Sequence, residues 1–174
     1  MAIVPNPRTW GSTELVTAAK LNADVRDSFN FLLAPPRAAL KKSSLQDIPS
    51  NAETAVTWDV ELYDSDNGHS NVTNPSRYTA QTAGWFCITA NVHWYQVTEV
   101  GMLECVLVKN GNTATRQSRA DLFPTGTDGF VHFLCGHVQM VVGDYVELRV
   151  YQEQGATKQV DSVDTRFDIR WVHS

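Results

Sequence analysis

The sequence predicts a mainly β chain: an antiparallel β-sandwich head preceded by an extended arm and one amphipathic α-helix. Three observations carry this. Helical periodicity occurs once, between Thr17 and Leu33. From about residue 54 onward only short β-rich runs punctuated by turn residues remain, and several of those runs are apolar on both faces.

Residues 1–12 show no periodicity and contain Pro5 and Pro7, so they are expected to be extended and ordered only by what they lie against. From Thr17 to Leu33 the apolar residues Leu21, Val25, Phe29 and Leu32 recur at helical spacing, with Asn22, Asp24, Arg26, Asp27 and Asn30 on the other faces. Thr17 can cap the helix, and Pro35-Pro36 stops it. A lone helix of about four turns is marginal in water, so its stripe needs another copy, the head or a larger assembly to pack on. Residues 34–53, rich in Pro, Ser and Lys, read as a linker with room for a short turn. The expected division is therefore arm and helix 1–33, linker 34–53 and head 54–174.

Within the head, turn residues at Asp64–Gly68, Asn110-Gly111, Pro124–Gly126 and Gly143-Asp144 separate about eight strands. Gly84–Gln96 alternates Phe86, Ile88, Ala90, Val92 and Trp94 against Trp85, Cys87, Thr89, Asn91, His93 and Tyr95. The first set reads as core, yet the second is too aromatic for open water. Phe130–Val141 has the same character, with Phe133, Cys135 and Val141 opposite Phe130, Leu134, Val138 and Met140. Tyr145–Gln152 instead alternates cleanly, as in a sheet with one wet face. One sheet is thus expected to be outer and the other inner. An inner sheet apolar on both sides suits a homotrimer, one side packing the subunit core and the other the neighbouring copies. Trp85, His93 and Tyr95 are the interface candidates on that strand. Asp164, Arg166, Asp168 and Arg170 alternate opposite Val163, Phe167, Ile169 and Trp171, giving either a solvated face or, in the inner sheet, charges that meet neighbouring copies.

Length and composition set outer bounds. The chain of 174 residues, 43% hydrophobic and 19% charged, suits one domain with an appendage, and no apolar stretch approaches the ~20 residues that span a bilayer. The N-terminus lacks the basic and apolar regions of an export signal, so synthesis in a cytoplasm without export is expected. A net charge of -5, with Lys41-Lys42 as the one adjacent basic pair, argues against nucleic acid as a partner. Cys87, Cys105 and Cys135 are widely spaced in apolar runs and read as buried reduced thiols without a disulfide.

Candidate sites are few. Asp64, Asp66 and Asn67 crowd oxygen ligands into one turn and are the only calcium candidates, although their spacing is not that of an EF-hand and a plain turn is the better reading. His132, Cys135 and His137 suggest zinc, joined by Cys87 or His93, but His132 and Cys135 diverge on a strand, which favours ordinary core or interface side chains. Asn71-Val-Thr73 is a glycosylation sequon by chance in a chain without an export signal. No nucleophile-elbow, zinc-protease, phosphate-loop or dinucleotide pattern is present, so neither enzyme activity nor a cofactor is expected.

Four stretches of the head, over about residues 54–172, carry a resemblance: Val56–Asp64, Tyr78–Ile88, Val142–Val150 and Phe167–Trp171. They are similar in pattern to the jelly roll of tumour necrosis factor and of the globular heads of complement and collagen-tailed proteins. That likeness implies a jelly-roll sandwich with its last strand in the inner sheet, placing Arg166, Asp168 and Arg170 at the trimer interface. Arg8–Asp27, followed by Phe31-Leu32, resembles the leader found on many phage tail and fibre-type structural proteins. It implies a virion docking segment in which Trp10, Leu21, Val25, Phe29 and Leu32 are the contact residues.

Three functional readings follow. The first is a homotrimeric phage virion appendage of fibre, spike or minor tail type, docked to capsid or tail proteins through residues 1–33, with loops 64–76 and 110–128 free to touch a host-surface glycan or protein. The second is a capsid decoration protein with no host ligand. The third is a non-viral, complement-like binding module.

Overall fold

A twelve-residue strand organises the head because its alternation of large apolar residues buries one whole face. The computed structural model describes residues 4–6, 8–95, 97, 101–113 and 129–174, together with the backbone of 116–122. Among the described residues there are twelve strands: β1 (Arg37–Lys41), β2 (Gln46–Ile48), β3 (Thr54–Ala55), β4 (Val60–Asp64), β5 (Arg77–Thr79) and β6 (Gly84–Tyr95). They continue with β7 (Leu103–Lys109), β8 (Arg116–Leu122), β9 (Phe130–Met140), β10 (Tyr145–Gln152), β11 (Lys158–Val160) and β12 (Arg166–His173). The larger sheet runs β9, β6, β12, β1, β4, with β11 and β2 continuing beyond the end of β12. The smaller runs β8, β7, β10, with β3 and β5 both paired to β10. Every pairing is antiparallel.

The core lies between the two sheets. Phe86, Ile88, Val92 and Trp94 from β6, Phe167 and Ile169 from β12, and Leu134, Val138 and Met140 from β9 meet Leu103, Cys105, Leu107, Val146, Leu148 and Val150 from the smaller sheet. Each large side chain buried this fully is worth roughly 2–3 kcal/mol of hydrophobic stabilisation. Trp58 stacks on Phe167 with ring centroids 5.5 Å apart, so the segment before β4 is sealed into the same core.

Residues 34–53 are not a linker. They carry β1 and β2, and Ala38, Leu40 and Ile48 are wholly buried in the core. β1 lies between β12 and β4, so the domain begins near Pro35 rather than at residue 54. Strands of five and three residues flanked by prolines and lysines are too short to show a period. The expected eight strands become twelve for the same reason: the extra ones are two to five residues long.

The helix begins where Thr17 predicts, its hydroxyl accepting from the Lys20 amide. It is interrupted, however: Ala18–Leu21 and Asp27–Leu33 are α-helical, and Asn22–Arg26 forms a π-turn between them. Phe31, outside the apolar stripe, is the one helical residue buried, packed edge-on against Trp171 at 4.7 Å. Trp171 is itself fixed by donating its indole N–H to the Ala83 carbonyl, 3.0 Å away, and Gly84 leaves the room it needs; a Cβ at Gly84 would lie 2.2 Å from that indole nitrogen. Of the arm, Val4 packs against the core, and Arg8 forms ion pairs with Glu14 and Asp24 while covering the Trp10 ring.

The turns at Asn110-Gly111 and Gly143 adopt the left-handed conformations expected of them, as does Asn67; Pro124–Gly126 lies outside the described residues. Asp144 ties two of these turns together. Its carboxylate accepts from the Val141 amide (2.9 Å) and the Asn110 side chain (2.7 Å) and pairs with Lys109 at 2.6 Å. Partial burial alone would raise its pKa, but these donors outweigh it and hold the group at about 2. The wet face expected of β10 is also modified. Val146, Leu148 and Val150 point into the core as predicted, yet Glu147 is only 3% exposed, enclosed by Arg77, Arg149 and Ser76.

Two outcomes follow from this arrangement. Folding lowers the Asp144 pKa, so its contribution is complete above the ordinary carboxylate range and lost as pH falls toward about 2. Asp144→Ala is expected to cost roughly 2 kcal/mol at neutral pH, measured by denaturant unfolding, with the gap to wild type closing in strong acid. A chain starting at Pro35 is expected to give a cooperative thermal transition, and one starting at residue 54 to give none.

Candidate functional site

The face of the larger sheet that points away from the core is the most distinctive surface of the molecule. The strand registers lay its side chains out in rows. Phe133, Asn91, Arg166 and Lys41 are aligned across β9, β6, β12 and β1; Cys135, Thr89, Asp168 and Ala39 form the next row; and His137, Cys87, Arg170 and Arg37 form the third. Directly opposite side chains on such strands lie about 5 Å apart and interact.

The two halves of this face differ in chemistry. The β9 side is apolar and bare: Phe133 is 65% and Val131 52% exposed. The β12–β1 side carries Arg37, Lys41, Arg166 and Arg170 around a single carboxylate, Asp168, in a chain whose net charge is -5. Among the described residues no carboxylate lies within 4 Å of any of these four cations. Burial raises the Asp168 pKa above its ordinary value, with Arg166 acting the other way. Arg37 lies over the Tyr63 ring, 5.2 Å from its centroid. A cavity of about 240 Å³ opens between Arg37, Tyr63, Thr89, Asp168 and Arg170, and a neighbouring one of about 480 Å³ runs from Cys87, His137 and Arg170 to Leu32 and Pro35 at the end of the helix.

The residues expected on this face from the sequence are brought together unequally. Trp85 is half-buried and stacks on His173 at 6.0 Å. Arg166, Asp168 and Arg170 all project from β12 in the larger sheet, while Asp164 falls in the turn before it and Val163 is exposed. His93 is engaged within its own chain: its Nδ1 lies 2.6 Å from the Asp161 carboxylate, and Gly129 packs so closely that a Cβ there would lie 2.5 Å from the His93 Nε2. Tyr95 is exposed at the far end, paired with Gln159. Arg37 and Lys41 were hidden in the supposed linker, although Arg37-Ala-Ala-Leu-Lys41 does place its two cations on one face of a strand. Asp161 carried no local signal, because its partner is distant in sequence.

The cysteines depart from expectation. Cys105 is buried, and burial drives its thiol pKa far up; Cys135 is exposed and Cys87 half-buried. Burial also raises the Cys87 pKa, reinforced by its hydrogen bond with Cys135 and opposed by Arg170. His132 turns into the core, where its Nδ1 lies 3.0 Å from the Trp94 indole N–H that donates to it, so it cannot join Cys135 and His137 around a metal. Among the described residues no three His, Cys, Asp or Glu side chains are grouped to hold a metal ion.

At the calcium candidate, Asp64 accepts from the amides of Asp66 and His69, and Asp66 is buried against Thr82, so both carboxylates serve the turn. Asn67 supplies its left-handed residue. The following loop shapes a polar concavity of about 250 Å³ lined by Asn67, Ser70, Thr73, Asn74, Arg77 and Gln81. The second expected contact loop, 110–128, lies partly outside the described residues. Along the helix Leu21, Val25, Phe29 and Leu32 remain exposed, the last two at 60% and 66%, and Trp10 is half-buried. Among the described residues no helix is long and apolar enough to cross a membrane.

Two packed antiparallel sheets with these pairings define a jelly-roll sandwich of the tumour necrosis factor and complement-head type. Among solved structures, the chain is similar to the globular domain of zebrafish complement 1qA protein, with 11% identity and a TM-score of 0.54, covering 79% of this chain and 98% of that one. It is also similar to murine APRIL at pH 5.0, with 11% identity and a TM-score of 0.61 over the same shares. Eiger TNF from S. frugiperda shows 13% identity and a TM-score of 0.55 over 80% of this chain and 94% of that one. No protein-family model and no curated protein matches the sequence. At these identities the likeness is one of fold.

Proposed function

We propose that the chain is a non-catalytic binding head that works as a homotrimer, closing the bare face of its larger sheet against two other copies. The observation that carries this reading is the face itself: Phe133 and Val131 stand exposed beside four cations that have no carboxylate within 4 Å among the described residues. Water is a poor cover for such apolar surface, and a contact that closes on itself buries it without building fibres. The number three rests on the likeness in fold to tumour necrosis factor and complement heads. The polar loop 64–76 would then be presented outward, with its concavity available to a glycan or protein partner.

A second reading places this trimer on a virion. The exposed stripe Leu21, Val25, Phe29 and Leu32 favours it, because among the described residues Phe31 is the helix side chain buried against the head and the stripe is left open to another surface. The resemblance of residues 8–32 to phage structural leaders points the same way, and docking to capsid or tail proteins would be the task of Trp10 and the stripe. Whether such an appendage attaches to a host or only decorates the capsid turns on whether deleting it abolishes adsorption or particle stability.

Phe133→Asp puts a charge at the centre of the apolar half without touching the core. Sedimentation is expected to show the variant at a single chain mass with its β spectrum intact, where wild type sediments as an assembly. A variant that assembles as wild type does would overturn the proposal. Binding of the wild-type chain to purified particles, lost in Phe29→Asp, selects the virion reading; equal binding by both rejects the stripe as its anchor.

A further inference from the structure

Arg37 and Arg170 are Cα partners on adjacent antiparallel strands, so two like charges face each other directly. Such a pair is unfavourable unless something negative sits between them. The carboxylate of β12 on this face, Asp168, is diagonal to Arg37 and two residues before Arg170 on the same strand, and forms an ion pair with neither. Arg37 lies over the Tyr63 ring, 5.2 Å from its centroid, a contact made through the ring face that uses none of its hydrogen-bond donors. Arg170 borders the same cavity, Thr89 adds a hydroxyl, and the Asp168 carboxylate and Cys87 thiol line it as well, so the cavity holds two cations against one carboxyl group. At about 240 Å³ the space falls below the ~300–1,000 Å³ of sites for drug-sized ligands, and suits an ion with a few waters.

We propose that Arg37 and Arg170 together hold a small tetrahedral oxyanion of the phosphate or sulfate kind, and that this anion is the counter-charge with which the sheet face closes against other copies. The second clause rests on the trimer reading; the first does not. Two guanidinium groups bordering one cavity carry enough donors for the several acceptor oxygens of such an anion, whereas a face buried with both cations unpaired would oppose assembly. Copies that meet through this face each bring its four cations and the one carboxylate Asp168, so a localised anion fixes where the cations are neutralised.

The test is a titration of the full chain with sodium phosphate at constant ionic strength, followed by calorimetry, with mass measured in parallel. Saturable binding near one ion per chain is expected, at least tenfold weaker in Arg37→Gln and in Arg170→Gln and within twofold of wild type in Lys41→Gln, which lies outside the cavity. Phosphate is also expected to lower the concentration at which the assembly dissociates by tenfold or more. Absent binding, or binding unchanged in both arginine variants, overturns the site. Assembly that is equally tight without phosphate but weakened by Arg170→Gln makes a neighbour's carboxylate the counter-ion and overturns the anion. Phosphate binding by a chain that stays at single mass upholds the site and overturns the trimer reading instead.

Discussion

The fold depends on β6 burying one whole face of large apolar side chains. One face supplies Phe86, Ile88, Val92 and Trp94 to the core, and these large side chains fix which residues of β9 and β12 must point inward with them. Because side chains alternate strictly along a strand, that choice also fixes what points outward. A slip of one residue would bring the outward cations of β12 into the core, so the register is strongly specified. The outward rows of Phe133, Cys135 and His137 beside Arg166, Asp168 and Arg170 are therefore a consequence of the core, and among the described residues no further layer covers them.

The remaining devices hold this sandwich together at its margins. Asp144 joins the β7–β8 turn to the β9–β10 turn, and Glu147 gathers Arg77, Arg149 and Ser76 on the smaller sheet. Both carboxylates are held below their ordinary pKa by their donors despite the opposing effect of burial. The helix is attached more sparingly. Phe31 against Trp171, with Val4 of the arm, makes up its apolar contact with the head, and the π-turn separates that last α-helical turn from the first one. The sandwich thus carries an appendage whose apolar stripe stays exposed.

Much of this was legible in the sequence where elements are long. The alternation of β6, the parity of β9 and β12, the Thr17 cap and the Asn110-Gly111 turn all appear as predicted, since each rests on a local period or a local hydrogen bond. What failed to show was set by distant contacts. β1 and β2 look like a linker because Ala38, Leu40 and Ile48 are too few to reveal a period, yet their burial is complete. Phe31 looks secondary to the stripe until Trp171, far away in sequence, is brought beneath it. In the candidate site the β12 charges follow from alternation, whereas Arg37 and Lys41 stand beside them only through the pairing of the five-residue β1 with β12, which has no local signal.

The central claim is that copies of the chain cover the free face of the larger sheet. Native mass spectrometry of the unmodified chain, from nanomolar to micromolar concentration, tests it most directly. A species of three chains, each of 19.4 kDa, dominating the upper part of that range is the expected result. A single chain mass across the whole range would contradict the account.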